Sequence, residues 1–369
     1  MSRVLVVTND FPTRFGGIES FVLALCRQMP ADEVVVYTAS MPGDAEFDAG
    51  LPFPVYRDPS RILLPTPAVA RRVRAVMRRH GCDRVLYGAS APLGLLAPAL
   101  RRAGATRQIA LTHGHEVWWA RMPGTRQLLR RIGDQVDVLT YVSEWCRERI
   151  APALSPDARA RMVRLSPGVD PERFYPGCGG AEVRRRLGLD ESTPVVVCTA
   201  RMVRRKGQDT LIRAWPSVLG VHPTARLLLV GDGPDRRRLE RLSRSTGVSG
   251  SVIFAGSVDW VEVPAYMDAG DVFAMPCRTR RFGLEVEAWG IVFLEAQACG
   301  LPVVVGDSGG APETLVSDRG LVTRRTAGTA DAVLRLLNAE GRRKPLLPGV
   351  LRTISWRRAG IALDALWGG

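Results

Sequence analysis

The feature that most constrains this chain is a rhythm. Short aliphatic and β-branched runs end in a turn, a helical stretch follows, and the pair repeats over nearly the whole length. The runs are Val4–Val7, Val34–Thr38, Arg84–Tyr87, Gln108–Thr112, Val136–Val142 and Arg161–Leu165, then Pro194–Thr199, Arg226–Val230, Ser251–Ala255, Asp271–Met275 and Val303–Val305. Most are apolar without alternation, as strands buried on both faces are. Strands of that kind separated by helices give parallel sheets with helices on both faces, an α/β architecture. A Pro/Gly stretch, Ser166-Pro167-Gly168-Val169-Asp170-Pro171, breaks the rhythm and reads as a hinge. The 369 residues suit two domains of ordinary size. We place the first at 1–166 and the second at 167–352, with a last helix in 353–369 crossing back to the first.

The second half converges on residues 278–314, where Glu287 and Glu295 stand eight apart. On one helix they would point about 80° apart. Trp289-Gly290 makes a continuous helix unfavourable, because glycine costs about 1 kcal/mol in a helix interior. We therefore expect Glu287 on a loop and Glu295 just inside a helix that starts after Gly290. The N–H groups from Gly290 through Ile291 and Val292 to Phe293 would then be free to bind phosphate or hydroxyl oxygens. Ionised carboxylates only accept hydrogen bonds, which suits a hydroxyl-rich ligand. Upstream, Arg201 and Lys206 occupy a strand-to-helix loop, with Arg204 and Arg205 read as exposed or acceptor-facing. An arginine can clasp two phosphate oxygens and a lysine adds a point charge. The alternative is a solvated basic loop.

In the first half, Gly16-Gly17 follow the first strand and precede a helix expected at Ser20–Met29. Such a turn either brings backbone N–H groups to a diphosphate or is only tight. Thr112-His113-Gly114-His115-Glu116 ends another strand, where open α/β sheets keep their ligand crevice. Three candidate ligands are few for a metal, so an imidazole holding a sugar hydroxyl is the better reading. Trp118 lines an acceptor channel or packs. In the helix expected at Ala68–His80, Val69, Val73, Val76 and Met77 share one side, and Arg71, Arg72, Arg74, Arg78 and Arg79 cover the other. That face is either solvated or docks on anionic lipid, where each basic group contributes roughly 1 kcal/mol.

The formal net charge is +14, which permits nucleic acid, anionic membrane or anionic small ligands as partners. RNA-binding motifs are not apparent, so no nucleic acid is expected. The seven cysteines include no C-x-x-C pair and read as buried free thiols of a reducing compartment. The chain begins directly in a strand without signal-peptide flanks. The longest apolar candidate, around Gly88 to Leu100, is short and holds Pro92 and Pro98. A cytoplasmic protein that visits a membrane face is expected.

The stretch E-A-W-G-I-V-F-L-E resembles the E-x7-E signature of the retaining glycosyltransferases of family 4, and the likeness covers nearly the whole chain. Arg201 with Lys206-Gly207 resembles that family's R-x4-K-G donor-phosphate clamp, and S-P-G-V-D-x-x-x-F its hinge. Within the family the wording is most similar to the actinobacterial phosphatidylinositol mannosyltransferases. The resemblance implies a GT-B fold, two Rossmann-like domains facing across a central cleft. It implies GDP-mannose as donor and an anionic phosphatidylinositol mannoside lipid as acceptor. It implies peripheral attachment at the inner face of the plasma membrane through the basic helix. It places Gly16 and Gly17 by the diphosphate and sugar, the loops with Gly256 and Val258 by the base, and Glu295 on the ribose hydroxyls. It puts Glu287 on the transferred sugar, with Arg201 and Lys206 on the diphosphate. It puts one histidine of this strand end, His113 or His115, on the donor sugar. Trp289 departs from the small residue more usual there, a change that bears on the sugar pocket. No D-x-D pair stands by the diphosphate, so no cofactor or metal is expected and cationic side chains replace it. Neither glutamate is expected to be a nucleophile; the acceptor attacks on the leaving-group face. Two other readings stay open, a family 4 transferase with another donor or a soluble acceptor, and a dinucleotide oxidoreductase. The lack of G-x-G-x-x-G counts against the latter.

Overall fold

The computed structural model describes residues 2–13, 16–341 and 343–368. The chain divides into two compact units, residues 1–167 with 356–369, and residues 168–355. The first contains β1 (Arg3–Thr8), β2 (Val34–Ala39), β3 (Val55–Asp58), β4 (Cys82–Tyr87), β5 (Arg107–Ala110), β6 (Val138–Tyr141) and β7 (Met162–Arg164). These form one parallel sheet in the order β3-β2-β1-β4-β5-β6-β7. The second contains β8 (Val195–Thr199), β9 (Arg226–Val230), β10 (Val252–Gly256), β11 (Val272–Met275), β12 (Val303–Gly306) and β13 (Gly320–Thr323). Its parallel order is β10-β9-β8-β11-β12-β13.

The central strands are those the apolar runs announced, and they are buried: Val4–Thr8, Val34–Val36, Val195–Val197, Val272–Met275 and Val303–Val305 are almost fully covered. Each such side chain contributes about 1.5–3 kcal/mol of burial. Two strands escaped the sequence reading. β3 and β13 are four residues each, lie at sheet edges and are mostly half-exposed, so neither shows a continuous apolar run. Strand order reverses between β1 and β4, and again between β8 and β11. The loops leaving those strands diverge to opposite faces and open a crevice at the strands' carboxyl ends.

The last helix, Trp356–Trp367, belongs to the first unit, so the return begins at Trp356 rather than at 353. It packs on the Gly17–Gln28 helix, with Trp356 and Phe21 ring centroids 5.8 Å apart. The basic helix runs Pro67–His80. Thr66 accepts the N–H of Val69, Pro67 occupies the first turn, and Gly81 closes the end in a left-handed conformation. Its apolar side, Val69, Ala70, Val73, Val76 and Met77, is buried as its spacing requires.

Candidate active site

The crevice of the second unit is built by two loops that leave the sheet where the strand order reverses. After β8 the chain runs through Arg201 and a short 3-10 turn, Arg204–Lys206, into the helix Gln208–Val221. After β11 it runs through Pro276 to Glu287 and then into the helix Ile291–Ala298. Gly207 lets the two loops touch: its φ is +81°, and a Cβ there would lie 2.0 Å from the Pro276 carbonyl oxygen. The Arg205 carbonyl accepts the Arg278 N–H at 2.8 Å, stitching the loops together.

Glu287 lies on the loop, as expected, and is buried. Its Oε2 receives Lys206 Nζ at 2.6 Å and Arg205 Nη1 at 2.7 Å. Burial alone would raise its pKa; the Lys206 and Arg205 charges outweigh that and hold the carboxyl below its ordinary value. Arg205, expected exposed or acceptor-facing, is half-buried on Glu287. Arg205 and Lys206 are both long and flexible enough to reach the one carboxylate oxygen from adjacent positions of the turn. Arg201 is exposed, and its guanidinium has no hydrogen bond or ion pair among the described residues.

The Ser308-Gly309-Gly310 turn after β12 fixes the backbone of Glu287. Ser308 Oγ accepts the Glu287 N–H at 3.2 Å, and the Glu287 carbonyl accepts the Gly310 N–H at 3.0 Å. Gly309 has φ +60°, and a Cβ there would lie 2.2 Å from the Glu287 carbonyl oxygen. The sequence reading gave this turn no role; nothing local marks a contact reaching back about twenty residues.

The helix Ile291–Ala298 begins after Gly290, which is left-handed at φ +93°. The expectation of free N–H groups through Phe293 needs trimming, because the Phe293 N–H is spent on the Gly290 carbonyl at 3.0 Å. Ile291 and Val292 keep N–H groups with no acceptor inside the helix. Trp289 is buried beside them. Glu295 is half-buried in this helix, and burial pushes its pKa up to about 7, partly offset by the Arg173 charge. Gly256 ends β10 at φ +78°, its carbonyl accepting the Gly231 N–H at 2.7 Å, and Val258 beyond it is half-buried.

The two glutamates therefore sit in opposite environments. Glu287 is held ionised, whereas Glu295 titrates near neutrality. The ordinary value for Glu295 is 4.5, so the folded state favours its proton, and its burial destabilises the fold increasingly as pH rises from about 4.5 through about 7. In the role the family resemblance implies for Glu295, on ribose hydroxyls, the carboxylate must be ionised to accept from both. Donor kcat/KM is expected to climb with pH through a step near 7. Glu295→Gln should flatten that step and lower the plateau about 10-fold or more, by loss of a charge-assisted acceptor. A wild-type profile without the step counts against this role.

In the first unit, the chain after β5 turns at His113-Gly114-His115 into the helix Glu116–Arg121. Glu116 is fully buried and organises that turn. Its Oε2 accepts the N–H groups of His113 at 3.0 Å and Gly114 at 3.2 Å, and its Oε1 accepts Ser90 Oγ at 2.9 Å. A carboxylate so occupied makes a poor metal ligand. Among the described residues no group of three or more His, Cys, Asp or Glu is arranged to hold a metal. His113 Nε2 donates to the Gly88 carbonyl at 2.6 Å, its ring stands edge-on to Phe21, and burial lowers its pKa. A neutral His113 with its other nitrogen as acceptor follows. His115 is more exposed and rests 3.2 Å from Glu116. Trp118 is 39% exposed.

The first helix starts at Gly17, not at Ser20, so Gly16 is its N-cap. The Glu19 carboxylate folds back over Gly16, where a Cβ would meet Oε2 at 2.4 Å, whereas the space about Gly17 is open. A diphosphate here would meet that carboxylate unless it approached on the Gly17 side.

On the basic helix, Arg71, Arg78 and Arg79 are exposed and Arg74 is half-buried. Arg72 is a correction to the lipid-facing set. It binds the fully buried Asp58 through Nε at 2.7 Å and Nη2 at 3.1 Å, with the Tyr37 hydroxyl donating to the same carboxylate. Despite burial, those hydrogen bonds hold Asp58 down to about 2. Arg72 therefore balances a core charge. Just before the helix, Ile62 and Leu64 are 66% and 54% exposed, an apolar pair the sequence reading did not single out. The three arginines after β11 are paired: Arg278 with Asp209 at 2.8 Å, Arg280 with Glu285 at 2.9 Å, and Arg281 with Glu285 at 3.1 Å.

Two family models match the chain: Glycosyltransferase Family 4 over residues 15–173, and Glycosyl transferases group 1 over residues 181–346. The GDP-mannose-dependent alpha-(1-6)-phosphatidylinositol monomannoside mannosyltransferase of Mycobacterium tuberculosis H37Rv is 48% identical over 91% of this chain and 89% of its own length. The monoacylated-substrate counterpart of Corynebacterium glutamicum is 44% identical over 87% and 84%. Among solved structures, Anabaena HepE in complex with UDP superposes with a TM-score of 0.82 at 17% identity, over 100% of this chain and 99% of that one. Sucrose-phosphate synthase from Thermosynechococcus elongatus gives 0.80 at 21%, over 99% and 98%. These two speak for the shared two-sheet GT-B architecture.

Proposed function

Because the chain belongs to the family 4 glycosyltransferases, we propose that it transfers a mannosyl residue from GDP-mannose to a phosphatidylinositol mannoside. The observation that carries this is the relatedness to mannosyltransferases of that activity across both units. The geometry of the second unit is consistent with it. A departing nucleoside diphosphate develops charge on its terminal phosphate. Lys206, Arg201 and the N–H groups of Ile291 and Val292 are the positive groups that would meet it, Lys206 held by Glu287 and Arg201 reaching in from the exposed side of the loop. In the free enzyme Glu287 occupies Lys206 and Arg205 and keeps both charges oriented. Donor binding would share Lys206 with the diphosphate and turn Glu287 to the sugar's hydroxyls. Its lowered pKa and paired oxygen make Glu287 a hydrogen-bond acceptor and a poor nucleophile, in keeping with acceptor attack from the leaving-group face. Glu295 holds ribose hydroxyls, and His113, held neutral with one ring nitrogen on the Gly88 carbonyl, holds a sugar hydroxyl with the other.

The test is transfer to phosphatidylinositol monomannoside with GDP-mannose and, in parallel, UDP-glucose. A dimannosylated lipid formed only from GDP-mannose is the expected result. Turnover of the UDP-sugar alone would reject the reading.

No helix among the described residues is long and apolar enough to cross a membrane. We assign contact with the lipid to the basic helix. Arg71, Arg74 and Arg78 supply charge, and Ile62 and Leu64 supply a small apolar edge. Binding to anionic vesicles should fall about 10-fold or more in an Arg71/Arg74/Arg78→Gln variant and decline with salt. Arg72 is left intact, since its loss strands Asp58. Unchanged binding in cosedimentation would remove the helix from the docking surface.

A further inference from the structure

We propose that the second unit binds a soluble phosphate monoester in a cavity lined by Arg278, Arg324 and Arg325, apart from the residues assigned to the donor. The cavity has a volume of about 300 Å³. It lies where the chain leaves β11, β12 and β13, and the helix Gln208–Val221 contributes Thr210 to its wall. The three arginines face it together with one carboxylate, Asp307. Lys206, Arg201, Glu287 and Glu295 do not line it.

The arginines are held in different ways. Arg278 donates Nη2 to Asp209 at 2.8 Å and Nη1 to Thr210 Oγ1 at 2.9 Å, which sets its guanidinium at the wall. Arg325 is exposed, and its guanidinium has no hydrogen bond or ion pair among the described residues. Its backbone is anchored by two buried threonines. Thr329 Oγ1 donates to the Arg325 carbonyl at 3.0 Å, and the Thr323 and Thr329 hydroxyls lie 3.1 Å apart. Arg324 pairs with Asp307, but their side chains are 80% and 39% exposed, so water screens the pair and an anion can take the arginine over. Guanidinium groups clasp phosphate oxygens in pairs. A phosphate monoester brings a charge of about −1.5 to −2 at pH 7, more than the phosphodiester of a membrane lipid carries. A space of this size is at the small end of ligand sites, which run from about 300 to 1,000 Å³. The Thr326 hydroxyl on the same wall has no partner among the described residues and can serve the ester's hydroxyls.

The cavity bears on the donor through Arg278. Its N–H donates to the Arg205 carbonyl at 2.8 Å, and Arg205 holds Glu287 at 2.7 Å. A ligand that draws on the Arg278 guanidinium therefore pulls on a loop stitched to the partner of that glutamate. This kinetic consequence rests on the donor-binding reading of the unit; the binding site does not.

The test is calorimetric titration of the full chain with glycerol 3-phosphate. Expected is binding that stays within about 2-fold in Lys206→Ala, because the donor clamp is a separate site. Affinity should fall about 10-fold or more in Arg324→Gln/Arg325→Gln, whose exposed positions leave the fold intact. Arg237→Gln/Arg241→Gln removes the same charge from exposed positions on another helix and should keep affinity within about 2-fold. A wild-type chain that binds no glycerol 3-phosphate, an equal loss in the two double variants, or a loss in Lys206→Ala alone would overturn the site. So would an Arg324→Gln/Arg325→Gln chain that loses phosphatidylglycerol vesicles yet binds glycerol 3-phosphate normally, since the arginines would then be a lipid contact. If the monoester binds, saturation with it should change donor KM about 5-fold in wild type and leave Arg324→Gln/Arg325→Gln unaffected. A donor KM that ignores the bound monoester would overturn the link through Arg278 while leaving the site standing.

Discussion

Replacing Lys206 with alanine should lower donor kcat/KM about 10³-fold, a loss of about 4 kcal/mol of transition-state stabilisation, while the chain stays folded. The ammonium sits 2.6 Å from Glu287 on a loop tied to the end of β11, so its position is fixed before the donor arrives. A fixed charge in a half-enclosed site stabilises a leaving diphosphate without reorganisation. Folding should suffer only by about 1–2 kcal/mol, because Arg205 still pairs with Glu287 at 2.7 Å. Arg201→Ala should behave similarly in turnover, since its unpaired guanidinium has no structural duty to lose. Arg205→Ala should be milder, about 10-fold, because it orients Glu287 and is not assigned to the phosphate. Steady-state kinetics beside urea unfolding measures both quantities. Near-normal turnover in Lys206→Ala would dismantle the phosphate clamp.

Gly309→Ala should be almost as damaging although it adds only a methyl group. The new Cβ would lie 2.2 Å from the Glu287 carbonyl oxygen, and φ +60° is unfavourable for alanine. The turn must open, and Glu287 moves with it because Ser308 and Gly310 hold its backbone. A displacement of about 1 Å in a positioning group costs about 10² in rate. We expect that loss in kcat/KM together with about 2–3 kcal/mol of stability. Gly349→Ala is the control, since a Cβ there meets nothing within 4 Å; it should leave both readouts unchanged. Equal behaviour of the two variants would show that the turn does not hold the glutamate.

Periodicity and punctuation were local signals, and they carried far. Apolar runs without alternation marked the central strands, Gly290 marked where the helix of Glu295 begins, and Pro67 and Gly81 bracket the basic helix. The short edge strands β3 and β13 were missed because a half-exposed strand of four residues has neither run nor alternation long enough to register.

By itself, then, the sequence determined the two βα sheets, the loop-then-helix placement of Glu287 and Glu295, and the basic face of Pro67–His80, because each follows from spacing within a few turns of chain. Only the tertiary structure decided which charges meet. Arg205 and Lys206 reach Glu287 because β8 and β11 are neighbours at the point where strand order reverses, although more than eighty residues separate them. Arg72 pairs with Asp58, while staying partly exposed, because β3 pairs with β2 and buries that carboxylate beneath the helix. An ion pair depends on where two loops end in space, and no period along the chain encodes that.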